Sequence, residues 1–211
     1  MEGAALTAFV LASTMLAVTP GPGVVYIVTR TLAQGRRAGF ASVAGVALGN
    51  LLNAIAAALG LAALLAVSRW AFTLLQVAGA LYLFWLGVRA LRAPSRAGGQ
   101  GAELPIAVPW TLFRDGAVVA LLNPKTALFF AAFLPQFMDP RGPALPQALA
   151  LGALFVLIAA CTDALYVAAA ARLAPSLAGR DNTWSGARLA TAAVYFMLGL
   201  GSLFAGLRSP R

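Results

Sequence analysis

The chain has 211 residues, of which 61% are apolar and only 10% charged, with a mean hydropathy of +0.86 and a formal net charge of +9. That composition excludes an ordinary soluble domain and a disordered chain, and describes an all-α polytopic membrane protein whose first partner is the lipid bilayer. With no histidine and one cysteine, Cys161, it excludes a histidine-ligated metal site and a thiol relay within the chain, so no metal or other cofactor is expected.

Apolar stretches long enough to span a bilayer occur at about 5–29, 38–67, 70–91, 116–138, 145–173 and 187–207, which predicts six transmembrane helices. The first does not read as a cleaved signal, because Met1-Glu2-Gly3 offers no basic segment and the apolar run passes through the place where cleavage would fall. It is interrupted by Thr19-Pro20-Gly21-Pro22-Gly23, a strong helix breaker. Gly35-Arg36-Arg37-Ala38-Gly39 then reads as a tight turn. In the second span, Gly45 and Gly49 are spaced for close helix contact, and Asn50 and Asn53 are suited either to bonds between helices or to substrate.

A Gly-, Pro- and charge-containing stretch within 92–115 reads as a cytoplasmic linker. It divides a single transporter domain into a three-helix half at 1–91 and another at 116–211. The fourth span carries a second interruption, Asn123-Pro124-Lys125, and Lys125 is the only lysine of the chain. Ten residues into its apolar run, it lies about 15 Å deep, near the middle of a hydrocarbon core about 30 Å thick. An ammonium there opposes insertion by roughly 2.5–3.5 kcal/mol, so it marks a substrate or ion pathway. The fifth span contains Cys161-Thr162-Asp163 with Tyr166 one turn further on, and Asp163 is the only carboxylate expected inside a span. Three roles are open to it: an ion pair with Lys125, a partner for a substrate ammonium, or a proton carrier for coupling.

Three spans per half is an odd number, so the second half starts on the opposite face and the halves form a 3+3 inverted repeat with broken helices one and four. Interrupted helices at matching positions of two repeats point to a transporter binding site near the midplane. Each break frees N–H groups at the positive end of a half-helix, and together with Lys125 these form a candidate carboxylate site. The candidate substrate-binding residues are Thr19, Pro20, Gly21, Pro22, Asn50, Asn53, Asn123, Pro124, Lys125, Asp163 and Tyr166.

The fourteen arginines lie singly or in pairs at span ends, not on one amphipathic face, and therefore indicate topology, not nucleic acid. Ten of them, including Arg30, Arg89, Arg92 and Arg114, fall on one side if both termini lie outside, which predicts that orientation. Trp70, Trp110 and Trp184 fall at span starts, as interfacial anchors do. No Walker lysine, Gly-x-Ser-x-Gly or pair of catalytic carboxylates is present, so an enzyme is not expected. Packing glycines permit a homodimer without requiring one.

The whole chain resembles the LysE/RhtB family of bacterial amino-acid exporters (LysE-type translocators). The residues that carry the resemblance are Thr19-Pro20-Gly21-Pro22 followed by the Gly35–Gly39 turn, and Asn123-Pro124-Lys125 followed by Phe129-Phe130 and Phe133-Leu134-Pro135-Gln136-Phe137. Gly23 stands where the family usually has asparagine. The resemblance implies a secondary transporter of the bacterial cytoplasmic membrane, exporting amino acids or related zwitterions and amines at the expense of the proton gradient. An inorganic-ion exporter and a non-transporting scaffold are the competing readings. A divalent cation would want several oxygen ligands, where this core is expected to offer one acid beside a lysine.

Overall fold

The computed structural model describes residues 3–59, 69–92, 108–139 and 141–178, with scattered residues between 189 and 200. Among these, every regular element is helical: α1 (Gly3–Val18), α2 (Pro22–Gln34), α3 (Arg36–Ala58), α4 (Arg69–Arg92), α5 (Pro109–Leu121), α6 (Pro124–Ala132), a 3-10 turn at Leu134–Phe137, and α7 (Ala144–Ala178). The end of the expected second span, most of the linker, the connection before the sixth span and more than half of the sixth span itself lie outside the described residues.

Both interruptions read from the sequence are real bends. The chain turns by 49° between α1 and α2 and by 55° between α5 and the α6 segment, and each break falls near the middle of its bent pair. Prolines 22, 109 and 124 open α2, α5 and α6, where a fixed φ and a missing N–H are tolerated. Gly35 has φ +84°, a left-handed conformation that favours glycine, and its N–H donates to the Thr31 carbonyl to close the α2–α3 turn. Arg36–Ala58 and Ala144–Ala174 are each long and apolar enough to cross a membrane, and each bent pair passes the same test as one broken span.

The fourth span departs from its expected boundary: helix begins at Pro109, not at 116. Arg114 and Asp115 read as flanking charge in the sequence, but Asp115 is fully buried inside α5. Asp163 is therefore not the only carboxylate within a helix. Arg89 donates to Asp115 at 2.7 Å and Arg114 at 3.1 Å, which is how a carboxylate is kept in an apolar helix pair.

Helix α3 is the centre of the packing, running against α2, α5 and α7. Two apolar clusters lie along it. One gathers Tyr26, Ile27, Val43, Val46, Val119 and Val167; the other gathers Phe9, Ala54, Phe129, Phe130, Leu151 and Phe155. Contact between α3 and α5 is backbone to backbone. A Cβ on Gly45 would collide with the Phe113 carbonyl, and one on Gly49 would collide with the Ala117 carbonyl and stand 2.7 Å from Ala120 Cβ. Gly116 answers from α5, where a Cβ would stand 2.8 Å from the Ser42 carbonyl. Gly49→Val should accordingly lower the thermal midpoint of detergent-solubilised protein by about 5 °C or more, as overpacking by roughly 1–3 kcal/mol does. Ala44→Val, on an exposed position of the same helix, should leave it unchanged.

Candidate functional site

Reading each helix from one apolar cluster to the other crosses a polar position. Asn50 lies between Val46 and Ala54 on α3, and Asp163 between Ala159 and Val167 on α7. The two breaks fall at the same level, between Phe9 and Tyr26 in the first bent pair and between Ala120 and Phe129 in the second. Thr19, Asn50, Asn123, Lys125 and Asp163 thus share one layer, and all five line a small cavity of about 40 Å³.

The break after α1 releases carbonyl groups that hydrocarbon cannot satisfy. The second half supplies their donors. Lys125 Nζ donates to the Leu16 carbonyl at 2.8 Å and to the Thr19 carbonyl at 2.6 Å, and the Tyr166 hydroxyl donates to the Val18 carbonyl at 2.6 Å. The break after α5 is served in the other direction, by Asn53 Nδ2 of α3 donating to the Ala120 carbonyl at 2.9 Å. Asn53 and Tyr166, expected among the substrate residues, are thus occupied with breaks contributed by the other half.

The two half-helix N-termini differ. Asn123 caps α6 with its own side chain, accepting from the Lys125 N–H at 3.1 Å, and also donates to Thr126 Oγ1. The cap of α2 is Gly21, which has no side chain to offer its first N–H groups. Gly21 is also where the halves meet closely: a Cβ there would stand 3.5 Å from Lys125 Cδ.

A larger cavity of about 270 Å³ lies against both breaks, walled by Pro20, Gly21, Pro22, Asn123, Pro124 and Lys125. Its remaining wall is Gly79, Tyr82 and Leu83 of α4, Val119 and Leu122, and Met197. At roughly 30 Å³ per water, it has room for about nine waters, the scale of a small amino acid. Asp163 is buried in the smaller cavity and forms no ion pair with Lys125; among the described residues the ion pairs converge on Asp115. Tyr82 and Asp115 escaped the sequence reading. The signal for Asp115 was its place among Arg30, Arg89 and Arg114, three cations expected at one membrane face.

A model of the LysE type translocator family matches residues 14–206. An uncharacterized membrane protein of Vibrio cholerae is 36% identical over 168 residues, covering 79% of this chain and 80% of its own. A protein of Salmonella typhimurium named homoserine/homoserine lactone efflux protein is 34% identical over 174 residues, 82% of this chain and 83% of its own. A leucine efflux protein of Salmonella choleraesuis is 26% identical over 135 residues, 64% of each chain. No solved structure matches the chain. Because the family match runs through both breaks and through every residue of the polar layer, the chain belongs to the LysE type translocators, a family of membrane transporters and not of enzymes.

Proposed function

We propose that this protein exports small amino acids with uncharged side chains, or closely related zwitterions and amines, across the bacterial cytoplasmic membrane. The observation that carries this reading is the cavity of about 270 Å³ held between the two helix breaks. Its size suits one small amino acid, and relatives named for homoserine and leucine efflux handle compounds of that scale. Its described walls away from the breaks are mostly apolar, Leu83, Val119, Leu122 and Met197 beside Gly79 and Tyr82, and carry no charged group, which favours an aliphatic side chain over a second charge.

In this reading the substrate carboxylate lies at the open N-terminus of α2, against Lys125. Two donors of the ammonium are spent on the Leu16 and Thr19 carbonyls, which leaves one for the ligand together with its charge. The substrate ammonium faces Asp163 or the carbonyls released at the breaks. Six spans form a 3+3 inverted repeat with both termini outside, and the halves rock around the polar layer in alternating access. Each chain then holds a complete pathway, and a homodimer would pack two such units side by side.

Asp163 is the proposed site of proton coupling, being a buried carboxylate in the layer with no cation bound to it. Asp163→Asn should abolish efflux driven by an imposed pH gradient in proteoliposomes while retaining exchange of labelled for unlabelled amino acid. Unchanged dependence on the gradient would place coupling elsewhere. The export reading itself is tested by profiling the medium of cells that produce the native chain or Lys125→Met at equal membrane abundance. The native chain should enrich one or a few small amino acids outside, and the substitution should lower that efflux about tenfold or more, the equivalent of one charge-assisted hydrogen bond. Equal efflux by both would remove the carboxylate from Lys125, and no enrichment of any amino acid by the native chain would refute the export reading.

A further inference from the structure

Asp115 lies two helical turns before the second break, with Val119 of the cavity wall one turn away on the same face of α5. Its carboxylate is fully buried and collects three hydrogen-bond donors and a third guanidinium nearby. Arg89 of α4 binds Oδ2 at 2.7 Å, Arg114 binds Oδ1 at 3.1 Å, the Tyr82 hydroxyl donates to Oδ1 at 3.3 Å, and Arg30 of α2 stands 3.9 Å from Oδ2. Arg30 and Arg89 are further placed by rings, over Tyr26 at 5.3 Å and over Trp85 at 5.1 Å. Three of these contacts cross between elements of the two halves: α2 and α4 on one side, α5 on the other. Tyr82 belongs to both places at once, since it bonds Asp115 and also lines the cavity.

From this arrangement we infer that Asp115 is a positioning residue of the transport cycle, holding Tyr82, Arg30 and Arg89 together as the closure between the cavity and the arginine-rich face of the membrane. Opening the cavity to that face requires α5 to part from α2 and α4. The contacts that oppose such parting are the charge-assisted ones at this carboxylate, the hydrogen bond from the Tyr26 hydroxyl to the Leu112 carbonyl at 2.8 Å and the apolar packing of Val119 with Tyr26 and Leu83. A buried carboxylate cannot be left behind without partners, so the cluster breaks as a unit or stays closed, and the closure has two discrete states. The surplus of guanidinium over carboxylate gives the open state somewhere to go: the arginines of the face can turn to water or to lipid phosphate when released. The inference rests on the export reading for its meaning, but its test does not need a substrate.

The test measures access to the cavity wall. A chain carrying Cys161→Ala and Val119→Cys is placed in sealed vesicles of each orientation and exposed to a membrane-impermeant thiol reagent. With Asp115 intact, the thiol at 119 should react slowly from the arginine-rich face. Asp115→Asn should speed that reaction about tenfold, the effect of moving a closed state toward an even population, and leave the rate from the other face unchanged or lower. Arg89→Gln and Tyr82→Phe, which each remove one contact and leave the rest of the cluster, should give smaller increases on the same face. If Asp115→Asn does not reach the membrane, those two variants decide the matter. Equal rates from the arginine-rich face in native and variant chains would overturn the inference, as would an equal increase from both faces, which signals general loosening. Amino-acid efflux measured in parallel separates the two readings, because a chain that fails to export anything can still show the one-sided change in labelling.

Discussion

Every backbone group inside a bilayer has to find its partner within the protein, and two broken helices in one small chain make that requirement the organising constraint of the structure. The carbonyls of Leu16, Val18 and Thr19 at the end of α1 would be left without a donor if the halves stood alone, and that of Ala120 near the end of α5 would keep only the Asn123 N–H. The donors come from Lys125, Tyr166 and Asn53. Two of these reach from the second half into the first break, and one reaches from the first half into the second break. The halves are consequently joined at their breaks by hydrogen bonds as well as by apolar packing, and the polar layer is a structural necessity before it is a binding site.

The close approach of α3 and α5 makes those bonds geometrically available. Asn53 reaches the Ala120 carbonyl because Gly45, Gly49 and Gly116 let the two helix backbones touch one and two turns away. Lipid chains are as apolar as leucine, so helices in a bilayer gain little from burying large side chains and much from this kind of tight packing. The larger buried apolar residues are gathered in two clusters, and the level between them is left to small and polar groups.

How far the sequence could be read follows from which signals are local. The breaks are local, since Pro-Gly-Pro and Asn-Pro-Lys disrupt helices whatever surrounds them, and both were placed correctly. The Gly35 turn and the contact role of Gly45 and Gly49 belong to the same kind. Asp115 was not legible, because an aspartate next to an arginine at the edge of an apolar run looks like a solvated flank. Only the approach of Arg89 from α4 and Arg30 from α2 reveals that it is inside. The same holds for Tyr166 and Asn53: their spacing on a helix shows which way they face, while the carbonyls they satisfy belong to elements far away in sequence. Lys125 was found by its isolation, yet its use as a cap for α1 depends on the other half.

That double use of Lys125 bears on how binding at one break is felt at the other. The ammonium that would meet a substrate carboxylate is the one holding the Leu16 and Thr19 carbonyls. Under the proposed assignment, a carboxylate in the cavity would compete for its direction and its charge, so the bound chain would hold the end of α1 less firmly than the empty one. A ligand moves a conformational equilibrium only through contacts that differ between its states, and this is such a difference. Tyr166, bonded to Val18 alone, keeps α1 in place while Lys125 exchanges partners. Asp163 lines the same small cavity as the ammonium, so under the proposed coupling role its charge would bear on how strongly Lys125 is drawn away from either partner. In the proposed export reading, substrate, proton and the bend of the first helix would all act on a single ammonium.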